Sequence, residues 1–511
     1  MTGTSPTTLS PTSTLHHDDL AVNAYDKEHI KRPTTLRTDT GDESLTATLR
    51  DESTSDDGNS PKEKMINDPT TPTTTEAAPS LTLENVENTE NKTSPREWLY
   101  FGALLWSFLL LGWNDGSIGP LLPRIQGAYN VGYTIVSLLF VVNFIGYIIG
   151  AGINIWLNYK FGFGKIMVFG ACFSVAAYAI QSSAPPFPVF ILSFAFAGFG
   201  SALQGAQGNG FVGSLKKSKA TKLMLLHAAY GLGAFCSPFL ATHFSNLPRW
   251  SFHYLSSLTI AVINVGVQSL MFRFKRQEVL LREIGQHEEL ATATTTVAND
   301  VEKAQLNADS ASASSAQVEG QNQNLYRQIF AIKAVHYLTA FALIYIGVEC
   351  SVGSWIVTFI IRERHGGDSA GYISSGFFGG LMLGRVVLIL VNKWVGEYLV
   401  VYFYMLLAIA CEITIWVVPS IIENAIAVSI IGLLIGPIFP IIVGQAVRVL
   451  PPKLFTGAVG WITGVGVAGS AILPFITGLL ATQYGIRSLQ PFMVAMMGTM
   501  VCIWMLVPKR R

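Results

Sequence analysis

The sequence predicts an all-helical membrane protein of twelve transmembrane helices, arranged as two six-helix bundles related by a parallel pseudo-twofold axis. Three observations predict it. The 511 residues are 50% hydrophobic and only 13% charged, against about 25% charged in soluble domains, and the mean hydropathy is +0.41. Twelve apolar stretches follow a polar N-terminal segment, each near the ~20 residues that cross a bilayer. The last six of them repeat the first six at a fixed offset.

Residues 1–97 are rich in Thr, Ser, Asp and Pro and carry 9 basic against 18 acidic side chains. Such a segment cannot bury enough apolar area to offset its ordering entropy, so a disordered cytoplasmic tail is expected. It lacks the short apolar core of a signal peptide and is too acidic for a mitochondrial presequence. The apolar run that begins at Trp98 is the expected insertion signal. The N-terminal bundle, 98–273, has spans at 98–123, 132–157, 164–183, 187–214, 221–244 and 250–273. A polar central loop, 274–327, follows. Its first part, 275–290, is compatible with a surface helix, and the rest reads as linker. The C-terminal bundle, 328–507, has spans at 328–360, 369–392, 397–418, 423–446, 455–480 and 486–507, and residues 508–511 form a basic cytoplasmic end.

The 47 glycines suit close helix packing in lipid. The five cysteines all fall in apolar stretches without a CxxC pair, so neither a disulfide framework nor a zinc site is indicated. A net charge of +1 gives no reason to expect a nucleic-acid partner. Orientation follows from Lys/Arg placement. With the N-terminus in the cytoplasm, the inward loops, helix ends and C-terminus hold thirteen basic residues, Lys160, Lys165, Lys216, Lys217 and Lys453 among them. The outward loops hold only Arg124, Arg249, Arg362, Arg364 and Arg487. An Asn91-Lys92-Thr93 glycosylation acceptor would then lie in the cytosol, where it goes unused.

Shifting the chain by 234 residues aligns Gly146 with Gly380, Gly150 with Gly384, Asn158 with Asn392 and Gly162 with Gly396 without a gap. The same offset aligns Gly119 with Gly353, Gly198 with Gly432, and Asp115 with Glu349. Six spans separate the halves, so both cross in the same direction. In transporters built on such parallel repeats, binding sites lie between the halves near the bilayer midplane.

Asp115 is the sharpest candidate for a site there. It lies between Gly112 and Gly119, whose bare helix face admits a neighbouring helix or a substrate. A carboxylate in a bilayer costs about 2.5 kcal/mol or more, so acids at that depth face a bundle interior or a polar cavity and are functional by default. Glu349 is its mate in the second half, and one or both are expected to exchange protons. Asn114 is a candidate for hydrogen bonding to substrate. In span four, Gln204, Gln207 and Asn209 offer donors and acceptors suited to a hydroxyl-rich solute. Their plainer role is interhelical hydrogen bonding, worth about 0.6 kcal/mol each. Asn143 in span two reads the same way. Trp355 and Trp461 are expected to wall the cavity. His227 and Glu412 read as structural. Arg385 and Arg448, at cytoplasmic helix ends, and Lys160 form the expected gating set. The chain carries no phosphate-binding glycine loop, no zinc-protease motif and no nucleophile elbow, so ATP-driven pumping, membrane enzymology and cofactor or metal use have no support.

The segment GLMLGR (380–385) resembles the second-half loop signature of the major facilitator superfamily, and YKFGFGK (159–165) keeps the glycine and basic residues of its first-half counterpart without the usual Asp. More narrowly, GWNDG in span one, LQGAQGNGF in span four, LHAAYGLG in span five and GVECSVGSWIVTF in span seven resemble fungal transporters related to the fucose permease group. The resemblance covers 98–511 and includes GLLIGPIFPI and GWITGVGVAGSAILPF. It implies a secondary transporter, a monomer in the lipid bilayer, that moves a small polar or sugar-like substrate by alternating access as a proton symporter. The permease group's span-four acid falls at Gly205 here, so its two-carboxylate pattern does not carry over. Export of a metabolite or toxin, or a sensor that binds without transport, are the alternatives. The plasma membrane is the expected location, with a vacuolar or other internal membrane second.

Overall fold

The computed structural model describes residues 94–216, 218–285 and 327–509. The expected tail up to residue 93 with its Asn91 acceptor, the linker 286–326, Lys217 and the last two arginines lie outside the described residues. The spans are α1 (Pro95–Tyr129), α2 (Tyr133–Phe161), α3 (Phe163–Ser182), α4 (Phe187–Gly213), α5 (Lys219–Ser245) and α6 (His253–Phe272). The second six are α7 (Lys333–Glu363), α8 (Tyr372–Val387 continued by Ile389–Val395), α9 (Glu397–Val417), α10 (Ile421–Ile435 continued by Ile438–Val449), α11 (Pro452–Tyr484) and α12 (Leu489–Leu506). Among the described residues ten helices are long and apolar enough to cross a membrane, and α8, bent by 52°, makes an eleventh. The 35-residue α1 has the length of a twelfth, with its apolar run interrupted by Asn114 and Asp115.

Three details depart from the expected spans. The first span was expected to stop near residue 123, but α1 runs on to Tyr129 through Pro120 and Pro123. Neighbouring helices let a membrane span tolerate such prolines. The tenth span is broken at Gly436-Pro437. The surface helix after α6 is only Gln277–Glu283, and Gly285 turns the chain just beyond it with φ +76°.

The repeat seen in the sequence recurs in the packing, contact for contact. A Cβ added to Gly146 would stand 2.0 Å from the Ala195 carbonyl oxygen, and one on Gly380 would stand 2.1 Å from that of Ser429. Gly198 meets the Asn143 carbonyl at 2.0 Å, and Gly432 meets the Phe377 carbonyl at 2.1 Å. Each of these neighbours is itself offset by 234 residues. Glycine is required because the α2–α4 and α8–α10 backbones touch, the small-residue packing that replaces hydrophobic driving force in lipid. The turns repeat too. Gly162 and Gly396 have φ of +81° and +92°, and their N–H groups donate to the carbonyls of Asn158 and Asn392. Gly380→Val is expected to lower the thermal-unfolding midpoint of the detergent-purified protein, at a cost of roughly 1–3 kcal/mol for overpacking. Gly102→Val, with nothing within 4 Å of the added Cβ, should leave it unchanged.

The two bundles meet through α1–α7, α2–α11 and α5–α8. Here the tail end means the side on which residues 94 and 509 lie, and the far end the opposite side. At the far end, the Thr134 and Thr482 hydroxyls are 2.8 Å apart and Asn246 donates to the Asp368 carbonyl at 2.9 Å. Gly478 of α11 rests on Ser137 of α2, and Gly371 beside α8 rests on Thr242 of α5. Toward the tail end the same helices part. Gly152 of α2 and Gly460 and Gly464 of α11 have nothing within 4 Å of an added Cβ. Met224 and Leu225 of α5 and Val386 and Val387 of α8 are exposed. The bundles therefore form a wedge, sealed at the far end and open at the tail end.

Candidate functional site

The apex of this wedge is a contact between repeat mates. A Cβ on Gly119 of α1 would stand 2.5 Å from the carbonyl oxygen of Gly353 of α7. Asp115 and Glu349 each lie four residues before these glycines, one helical turn toward the open side. They come within electrostatic reach of one another. Gly112 and Gly116 of α1 are filled by the backbone of Tyr230 and Ala234 of α5, so a helix, not a substrate, takes that part of the bare face. The close approach delivers the Tyr230 hydroxyl, which donates to Asp115 Oδ2 at 2.6 Å. Asn114 Nδ2 donates to Asp115 Oδ1 at 3.1 Å, and Asn114 Oδ1 accepts from Tyr178 at 3.3 Å. Asn114 thus holds the acid in place from inside the bundle. Tyr147 of α2 and Cys350 of α7 are also within electrostatic reach of Asp115.

Glu349 faces Arg385 of α8 at 3.7 Å, with side-chain exposures of 14% and 20% that leave both reachable from the cleft. Arg385 was expected at a helix end as part of a gate. The span expected over 369–392 bends just after it, leaving Arg385 in the last turn of the first segment, with its guanidinium toward Glu349 and Tyr230. The sequence of α10 explains what holds it. The Gly436 carbonyl would normally accept from the N–H of residue 440, but residue 440 is proline and has none. Arg385 Nε donates to that orphan carbonyl at 3.4 Å. Tyr345, four residues before Glu349 and almost fully buried, lies beside both charged groups without a well-formed hydrogen bond of its own. His227, on α5, is exposed and within electrostatic reach of Arg385.

The remaining expected site residues lie elsewhere. Gln204 is fully buried inside the first bundle, accepting from Asn264 at 2.6 Å and donating to Ser174 at 3.3 Å. Asn264 also accepts from Ser107 and Gln268 at 2.9 Å each. The expectation that Gln204 contacts substrate is thereby corrected, because an unpaired amide in an apolar core is costly and α3 and α6 supply its partners. Asn209 donates to the Gly205 carbonyl of its own helix at 3.0 Å, and Gln207 donates to Asn154 at 2.8 Å. Asn143 packs on Gly198 of α4, and its buried side-chain amide oxygen has no hydrogen-bond partner among the described residues. Trp355 does not wall an open cavity. It is fully buried, donates to the Pro474 carbonyl at 3.1 Å, and lies against Tyr133 and Phe140 of α2, plugging the far-end seal. Trp461 packs on Phe330. Glu412 is buried within the second bundle.

At the tail end, Arg448 of α10 pairs with Glu397 of α9 at 2.6 Å, within its own bundle. Lys160 lies over the ring of Trp156, 5.0 Å from its centroid. Neither reaches across the cleft in this conformation. The surface helix docks beneath the first bundle through Leu280 and Ile284. There Glu283 pairs with Lys275 and accepts from Tyr100 at 2.5 Å, and these two hydrogen bonds hold its carboxyl below the usual range.

Residues 104–465 match the family described as Major Facilitator Superfamily. The chain is 27% identical over 434 residues to Bypass of stop codon protein 6 of Saccharomyces cerevisiae (strain ATCC 204508 / S288c), which covers 82% of this chain and 84% of that protein. Among solved structures, the fold is similar to a D-xylose-proton symporter, with a TM-score of 0.62 at 10% identity over 80% of this chain and 98% of that one. It is equally similar to a bacterial homologue of the human lysosomal transporter Spinster in an inward-facing, unoccupied conformation, with a TM-score of 0.62 at 12% identity over 81% and 98%.

Proposed function

The chain belongs to the major facilitator superfamily, and from that premise we propose that it is a proton-coupled symporter of a small polar or sugar-like solute. That it is a multi-pass membrane transporter with a small-molecule substrate follows from the family and the fold. The finer reading rests on one observation above all. Asp115 and Glu349 stand together at the apex of the wedge, on its open side, each one turn from the Gly119–Gly353 contact. Acids so placed meet the aqueous phase on whichever side the wedge opens, and they can take up a proton there and release it after the wedge reverses. In this reading residues 98–273 and 328–507 are the two rocking bodies around a fixed site. The tail end faces the cytoplasm by the Lys/Arg bias, and the conformation described is inward-open. Lys160 and Arg448 then act as tail-end gates that engage once the wedge closes on that side. The name of the xylose symporter neighbour is compatible with a sugar-like solute, and the plasma membrane remains the expected location.

The test is uptake of a labelled sugar panel into proteoliposomes holding the full chain, with an acidic exterior. Accumulation that collapses on adding a protonophore is the expected result. Uptake indifferent both to the pH gradient and to the double variant Asp115→Asn, Glu349→Gln would remove proton coupling.

A further inference from the structure

We propose that Arg385 is the anchor for a carboxylate on the transported solute, so that the substrate is a small organic monoanion that binds together with one proton on Glu349. The proposal rests on the transporter reading above and narrows its substrate class.

Three observations carry it. First, the pair is incomplete. At 3.7 Å Arg385 and Glu349 attract one another but lie beyond hydrogen-bond distance. Arg385 Nε donates to the Gly436 carbonyl at 3.4 Å, while its terminal nitrogens, beside the Tyr345 hydroxyl, stay 3.7 Å from Glu349 and the side chain remains 20% exposed. A guanidinium fork held by its Nε and open at its terminal nitrogens matches a planar carboxylate in two parallel bonds. Second, the Tyr345 hydroxyl, almost fully buried beside the fork, lies within reach of both Glu349 and Arg385 without meeting hydrogen-bond geometry on either. It is a ready donor for a second anion at that place. Third, the formal charge of the site fits. Asp115, Glu349 and Arg385 sum to one negative charge. A third carboxylate brought in alone would raise this to two in a low-dielectric setting, a costly change. If Glu349 takes a proton from water in the open cleft as the solute carboxylate replaces it on Arg385, the sum stays at one. The load crosses as one proton and one anion, with no net charge.

The groups facing Glu349 are few. Arg385 comes from α8, Asp115 from α1 and Tyr230 from α5, with Tyr345 and Cys350 on its own helix. His227 of α5 faces Arg385. From α10 the site receives the Gly436 carbonyl.

The test uses the detergent-purified full chain and a panel of three- to six-carbon hydroxy monocarboxylates that stay ionised between pH 5 and 8, each beside its neutral amide. At least one acid should raise the thermal-unfolding midpoint by roughly 2–5 °C at saturation, and its amide should not. Its apparent Kd should weaken as the pH is raised, approaching about tenfold per pH unit, since one proton binds with each anion. Arg385→Gln should abolish the shift. Arg385→Lys, which keeps the charge without the fork, should weaken binding while preserving the pH slope. Glu349→Gln should keep binding and flatten the slope. Equal shifts by acid and amide, no shift by any acid, or an unchanged slope in Glu349→Gln would each overturn the proposal. Neutral sugars accumulated by the proteoliposomes without any acid binding would sink this inference and leave the transporter reading standing. An acid that binds and is never carried would overturn this inference too, since the carboxylate proposed is that of the transported solute.

Discussion

Asp115→Asn should lower pH-driven accumulation of the transported solute roughly a hundredfold or more, the scale of losing a positioned proton-transfer group. The substitution is close to isosteric, and the amide in D115N still offers an oxygen to the Tyr230 hydroxyl that now donates at 2.6 Å. Folding and solute binding should therefore survive. Only the ability to pass a proton to and from Glu349, within electrostatic reach across the seam, is removed. Exchange of labelled for unlabelled solute needs no net proton movement, so counterflow in proteoliposomes should stay within a few-fold of the parent. That split separates a coupling role from a structural one. If D115N accumulates solute against a gradient as well as the parent does, Asp115 does not relay the proton.

A disulfide across the far end should stop transport almost completely. Thr134 of α2 and Thr482 of α11 approach to 2.8 Å between hydroxyls, and the Thr134 N–H also donates to the Thr482 hydroxyl at 3.1 Å. Such proximity suits a bridge between cysteines at the two positions, which needs Cβ atoms about 3.5–4.5 Å apart. In T134C/T482C, oxidation should reduce uptake to background and a reductant should restore it, while T134C alone behaves like the parent. The reasoning is that the far end must part for the solute to cross, since Gly478 on Ser137 and the buried Trp355 leave no path there. Normal uptake by the fully cross-linked protein would rule out a rocking movement at this seam.

The spans and the repeat were legible because the bilayer writes them plainly. Each crossing demands an apolar run, and each backbone contact demands a glycine, so Gly146, Gly198, Gly380 and Gly432 mark the packing directly. The pairing of Asp115 with Glu349 was legible for a related reason, since an acid in an apolar run is rare and the offset supplied its mate. The rotation of each helix was not legible. Gln204 shares its span with Gln207 and Asn209, and nothing in their spacing says that Gln204 turns toward Asn264 of α6. The amide partners Asn264 and Gln268, on an otherwise apolar span, carry that signal. Arg385 was legible as lying near a helix end, but not what it faces, because the bend that follows it leaves no mark in the hydropathy. Pro440, four residues after Gly436, was the available clue, because it frees a carbonyl that some donor must satisfy.

The touching backbones of Gly119 and Gly353 also bear on electrical leak. A pair of acids bridged by water to both aqueous phases at once would short-circuit the membrane potential, since each proton crossing 100 mV dissipates about 2.3 kcal/mol. Here the close contact of two side-chain-free turns lies immediately beyond the acids. The nearer the backbones stand, the less space is left for a thread of solvent past them, which ties current to the turnover of the machine.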